Sequence, residues 1–189
     1  MSMRFTAAIN KPGFNPLGTQ TSVSTYTYLL YRWGNNSGGQ LGLGDTTNRS
    51  SPNQVGSINT WATGKQGNNY SLAIKTDGTL WAVGACPQGQ TGLNTSTYYS
   101  SPKQVGALTN WLNATFSPNG YGYHVLVIKS TGNLWSWGAN NNGQLGLGNI
   151  TAYSSPKQVG SLTNWLSITA GGYQSLPLAR FGEAHAGGV

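Results

Sequence analysis

Acidic residues are nearly missing from this chain. Asp45, Asp77 and Glu183 are its three carboxylates in 189 residues, and charged side chains of both signs amount to 7%. Acid/base catalysis by a carboxylate pair needs two such groups flanking one bond, so that chemistry is not expected. Cysteine is equally scarce. Cys86 stands alone, which rules out an intrachain disulfide framework and leaves an inert, partly buried side chain or a reactive thiol as its two readings. With only His124 and His185 beside it, no Cys/His metal spacing can be written. No Gly-x-Ser-x-Gly nucleophile elbow occurs. No apolar run reaches signal-peptide or membrane-span length, so a soluble chain without a cleaved signal and without a membrane partner is expected. No catalytic residue, cofactor or metal is expected.

Glycine, by contrast, is abundant at 28 residues, and Trp plus Tyr contribute 17 more. Many aromatics with few charges exclude a disordered chain. The mixture fits short strands joined by Gly-rich turns, with aromatic side chains filling the space between sheets. Net charge is +7, but it arises from the shortage of acids, and the ten Lys and Arg residues form no run. General solubility and a nucleic-acid footprint both remain open on charge alone.

The dominant feature is repetition. Trp33-Gly34-Asn35-Asn36-Ser37-Gly38-Gly39-Gln40-Leu41-Gly42-Leu43-Gly44 is nearly reprinted as Trp137-Gly138-Ala139-Asn140-Asn141-Asn142-Gly143-Gln144-Leu145-Gly146-Leu147-Gly148. A worn copy lies between them, from Val83-Gly84 through Gly89-Gln90-Thr91-Gly92-Leu93. Each copy is followed by Ser-Pro-x-Gln-Val-Gly, beginning at Ser51, Ser101 and Ser155, and then by Trp61, Trp111 or Trp165. Gln40 and Gln90 are 50 residues apart and Gln90 and Gln144 are 54 apart. The extra four residues fall between Trp111 and Lys129, around the turn-like stretch Pro118 to Gly122.

Between copies, Ser71 to Lys75 alternates as a strand, Thr76-Asp77-Gly78 makes a hairpin turn, and Thr79 to Val83 returns. Val125 to Lys129 and Asn133 to Trp137 repeat that hairpin. The Ser-Pro dipeptides mark a loop. After Leu176 the pattern fails: Pro177 falls within the expected strand, where it removes a ladder donor and demotes the segment to an edge. Either a natural cap or a broken reading frame explains the change.

The Trp-Gly-x-Asn-x-x-Gly-Gln-Leu-Gly-x-Gly phrase, with Ser-Pro-x-Gln-Val and Ser-Leu-Ala-Ile-Lys-Thr-Asp-Gly-Thr-Leu-Trp, resembles the regulator-of-chromosome-condensation repeat family over residues 28 to 178. The resemblance implies an all-β fold, a partial β-propeller of about three four-stranded blades forming an incomplete or open ring. The expected division is an irregular arm over 1–22, repeats over 23–178 (approximately 28–80, 81–134 and 135–178) and a non-repeating tail over 179–189. The Gly-Gln-Leu-Gly-Leu-Gly run separates it from kelch repeats, and the lack of a following Lys-Ser/Thr separates it from phosphate-cradling loops.

Three roles follow as expectations. The leading one is a non-enzymatic protein-interaction or structural module, with a phage or bacterial surface or virion protein as its compositional analogue. Its contacts are expected at Asn35, Asn36, Gln88, Asn119, Tyr121, Asn140, Asn141 and Asn142, with self-association as a way to complete the ring. The second is nucleotide exchange on a small GTPase, the activity of the family's namesake. The third is nucleic-acid or chromatin binding through rows formed by Lys75 with Lys129 and Lys103 with Lys157. His124, at a position where the family often has His, is expected to pack within a blade.

Overall fold

The computed structural model describes residues 28–57, 60–117 and 123–180. The expected arm over 1–22, the insertion at 118–122 with Asn119 and Tyr121, and the tail beyond 180 lie outside the described residues.

All regular structure among them is β. Twelve strands run in order: β1 (Tyr31–Gly34), β2 (Arg49–Gln54), β3 (Trp61–Gln66), β4 (Tyr70–Lys75), β5 (Leu80–Gly84), β6 (Tyr99–Gln104), β7 (Trp111–Phe116), β8 (His124–Lys129), β9 (Leu134–Gly138), β10 (Tyr153–Gln158), β11 (Trp165–Ala170) and β12 (Ser175–Ala179). Strands β3-β4-β5-β6 and β7-β8-β9-β10 form two complete four-stranded antiparallel blades. β1-β2 and β11-β12 are two-stranded. The arrangement is an open arc and is not closed into a ring.

Local chemistry explains the hairpins. In the β4–β5 turn, Asp77 Oδ1 accepts the Thr79 N–H at 2.9 Å and the Thr79 hydroxyl at 2.6 Å, while Gly78 takes φ +76°. The Ser-Pro segments are where expectation and structure differ. They are not loops but the fourth strands β2, β6 and β10. Proline is tolerated because each of these strands pairs on one side only and its register shifts across the Ser-Pro step, between Tyr99 and Lys103 in β6, for example.

Alternating side chains of each blade enter two different cores. Leu72 and Ile74 of β4 pack against Val125, Val127 and Trp137 of the next blade. Leu126, Ile128 and Leu134 of that blade pack on Ile168 and Ala170 of β11. Burial of these side chains contributes about 1.5–3 kcal/mol for each large one, which makes blade-on-blade stacking the main source of cohesion.

Lysine is built into the same framework. Lys75 Nζ lies 3.9 Å from the Trp81 ring and 5.3 Å from the Trp61 ring; Lys129 repeats this at 4.1 Å from Trp135 and 5.1 Å from Trp111. Burial pulls the Lys129 ammonium below its ordinary value. In the other row, Lys103 and Lys157 lie over Tyr99 and Tyr153.

Candidate functional site

In each copy the third and fourth strands of a sheet are joined by a long loop, spanning 35–48, 85–98 and 139–152. Because the three loops occupy equivalent positions in successive sheets, they emerge at the same end of the arc and form a rim. What holds them is a pair of buried polar side chains.

The first is glutamine. Gln40 Oε1 accepts the Gly38 N–H at 2.9 Å, Gln90 Oε1 the Gln88 N–H at 2.9 Å, and Gln144 Oε1 the Asn142 N–H at 3.0 Å. The second is asparagine, or cysteine in the worn copy. Asn36 Oδ1 accepts the Leu41 N–H at 2.9 Å while its amide donates to the Asp45 carbonyl at 3.0 Å. Asn140 does the same with the Leu145 N–H and the Asn149 and Thr151 carbonyls, each at 2.9 Å. At the equivalent place the Cys86 thiol lies 3.1 Å from the Thr97 carbonyl. Cys86 is buried, so it is a packed staple rather than a surface nucleophile.

Each loop also stitches its sheet to the next. The Gln40 carbonyl accepts the Ser71 hydroxyl of the next sheet at 2.9 Å and, from its own sheet, the Arg32 guanidinium at 3.0 Å; the Gln90 carbonyl accepts the Trp137 indole N–H at 2.9 Å; the Gln144 carbonyl accepts the Ser175 hydroxyl at 2.6 Å. Burial brings the Arg32 guanidinium down to about 10. The Gly44 and Asn94 N–H groups donate to the Ser100 and Ser154 carbonyls of the following sheet, both at 2.8 Å.

These bonds divide the expected contact residues. Asn36 and Asn140 have no exposed surface; their polar atoms are used up inside the loops, and the structure removes them from any contact surface. Asn35, Gln88, Asn141 and Asn142 are exposed at the loop tips. Asn35 is partly committed, since its Oδ1 accepts the Ser37 N–H and hydroxyl, both at 2.8 Å. A uniform buried scaffold therefore presents tips of unlike sequence: Asn35 and Ser37, Pro87-Gln88, and Asn141-Asn142.

His124 is fully buried on β8, with Nε2 3.1 Å from Ser175 Oγ. The pair resembles a nucleophile and its base, but the serine donates its proton to the Gln144 carbonyl and so receives the imidazole N–H. The contact links a blade to β12. Asp45 is held below the usual carboxylate range by the Thr47 N–H and then by Arg49, with which it forms an ion pair. Among the described residues no three of His, Cys, Asp and Glu gather as a metal site.

The repeat marks Gln40, Gln90 and Gln144 as register positions, but nothing in it tells that they are buried in the loops or that the lysines lie over rings. Nor does it tell that the large apolar residues Tyr31, Trp33, Leu176 and Leu178 are exposed.

Residues 29–74 and 131–178 match the model of the Regulator of chromosome condensation (RCC1) repeat. Both windows begin at the third strand of one sheet and end in the second strand of the next. The chain is similar to the E3 ubiquitin-protein ligase HERC2 of Homo sapiens, at 27% identity over 84% of this chain and 4% of that protein. It is also similar to the mitochondrial RCC1 domain-containing protein RUG3 of Arabidopsis thaliana, at 28% identity over 88% of this chain and 39% of that one. Among solved structures, Prp20p from Saccharomyces cerevisiae superposes with a TM-score of 0.64 at 20% identity, over 76% of this chain and 38% of Prp20p. The chain thus spans a small part of HERC2 and about two fifths of RUG3 and Prp20p.

Proposed function

This chain belongs to the regulator of chromosome condensation (RCC1) repeat family, and we propose that it serves as a non-enzymatic protein-interaction module whose partner is engaged by the loop rim. One observation carries the reading. The buried glutamine is repeated in all three loops, joined by asparagine in two and by Cys86 in the third, while the exposed tips they support differ. A repeated support with varied tips offers a rigid polar surface on which binding costs little ordering entropy. The substitutions Gln88→Ala, Asn141→Ala and Asn142→Ala test it. They should leave the unfolding midpoint unchanged and reduce capture of a protein partner identified with the unaltered chain; unchanged capture would reject the rim.

The exchange-factor reading draws on Prp20p, whose structure is described together with its binding to Gsp1p and histones. Accelerated nucleotide release from a small GTPase on adding this chain would replace the scaffold reading. Histone binding fits less well, because a chain of net charge +7 with three carboxylates repels a basic partner. Nucleic-acid binding loses support from the four lysines of the two rows, Lys75, Lys103, Lys129 and Lys157, each of which lies over an aromatic ring. The virion analogue rests on composition alone, and the relatives described above are animal, plant and yeast proteins.

A further inference from the structure

Where the third copy of the repeat has Trp137, the worn second copy has Val83. The tryptophan fills the space between two blades. Its indole lies 6.3 Å from the Trp111 ring, shares a core with Val105, and comes within 2.8 Å of where a Cβ on Gly92 would stand. The counterparts of Gly92, Val105 and Trp111 one repeat earlier are Gly42, Val55 and Trp61. With valine in place of the indole, these three line a cavity of about 390 Å³ between the β1-β2 sheet and the blade that follows it. We infer that this cavity binds a small aromatic acid, whose flat ring system takes the place of the absent indole and whose carboxylate meets Lys75.

The second interval shows what such a space accepts. Cavities left in an apolar core where a large side chain is replaced by a small one take up aromatic guests. Here a Cβ on Gly42 would meet the Pro102 and Val83 side chains at 3.3 and 3.4 Å, and the Trp61 ring, Val55 and Leu43 supply further apolar wall. Every lining residue belongs to β2, β3, β4, β6 or the segments joined to them. Trp61 and Val55 are themselves buried, so the site is enclosed by inter-blade packing and owes nothing to an uncovered strand edge. Its volume lies near the lower end of the range of about 300–1,000 Å³ usual for ligand sites.

Two polar features set the character of the guest. The Gln90 carbonyl accepts the Trp137 indole N–H, but the equivalent Gln40 carbonyl already accepts the Ser71 hydroxyl and the Arg32 guanidinium. Both lone pairs are therefore used, and the guest ring needs no N–H of its own. Lys75 is the one ionisable side chain in the lining. Its ammonium lies over the Trp81 and Trp61 rings and, among the described residues, forms no ion pair. Asp77, two residues further on, is taken up by the Thr79 hydroxyl and N–H. The counterpart Lys129 is buried in the interval that Trp137 fills, whereas Lys75 is partly exposed, which leaves its N–H groups open to a carboxylate. Binding here and capture of a protein at the rim use different residues, and either can fail alone.

Ligand-observed NMR titration of the unaltered chain with 1-naphthylacetate should give a Kd below about 1 mM. The cationic analogue 1-naphthylmethylamine should bind about tenfold more weakly. No binding of the acid, or equal binding of the amine, overturns the proposal. Val83→Trp should abolish binding of the acid and raise the unfolding midpoint. Val83→Phe, a smaller change that covers failure of the tryptophan variant to fold, should weaken binding about tenfold. Undiminished binding to either folded variant places the ligand elsewhere and overturns the proposal as well. Lys75→Met should bring the acid and the amine within about twofold of each other; a preference for the acid that survives this change rejects the assignment of Lys75.

Discussion

Gly89 and Ser154 meet backbone to backbone across two blades, so closely that a Cβ on the glycine would sit 2.6 Å from the serine Cα. The contact is accompanied by the bond from the Asn94 N–H to the Ser154 carbonyl. Gly89→Ala must therefore part the blades as well as strain a residue at φ +74°. Its expected cost is about 3 kcal/mol. Gly106→Ala, at φ +61° with nothing within 4 Å, should cost about 1 kcal/mol. Urea unfolding of the two variants measures the difference.

Asn140 and Asn141 are neighbours with opposite fates. Asn140→Ala leaves the Leu145 N–H and two carbonyls without their partner, and should destabilise by about 2–4 kcal/mol. Asn141→Ala should change stability by less than about 0.5 kcal/mol. Thermal unfolding followed by tryptophan fluorescence separates them.

How far the sequence could lead is clearest in this loop. The repeated phrase made the blade hairpins readable, because the Asp77-Gly78 turn and the alternating Leu72 and Ile74 act locally. Asparagine gives no such guidance, since an Asn in a polar loop has the same composition whether its amide faces water or the loop's own backbone. A signal existed in the five-residue spacing from Asn36 to Leu41 and from Asn140 to Leu145, which is the reach of the observed bond. The Ser-Pro strands were hidden for another reason: a proline normally denotes a break, and only a one-sided, register-shifted edge makes it compatible with a sheet.

Lys129 lies between two indoles, 4.1 Å from Trp135 and 5.1 Å from Trp111. Lys129→Met keeps most of the apolar stem and removes the cation, so it should cost about 1 kcal/mol. Lys157→Met, at the exposed outer strand, should cost less. Unfolding midpoints of the pair give the comparison.

Asp77 couples the hairpin turn to pH. The Thr79 hydroxyl, and then the Thr79 N–H, hold its carboxyl below the usual range. A carboxylate with a lowered folded value stabilises in full above its unfolded value of about 3.9 and loses that contribution as pH falls through the folded value. The gap in stability between the unaltered chain and Asp77→Ala should therefore be constant from pH 6 to 8 and narrow on acidification to about pH 2.5. A urea series at each pH checks it.

The repeat windows start inside one sheet and stop inside the next, and this offset bears on how such chains lengthen. A tandem duplication of one window adds the closing strands of one blade and the opening strands of another, so every interior sheet stays four-stranded. Whatever the number of copies, the leftovers are always an opening half and a closing half that match. Growth by whole repeats never strands an unpaired piece, which lets the size of the array drift while the packing rule between neighbours stays fixed.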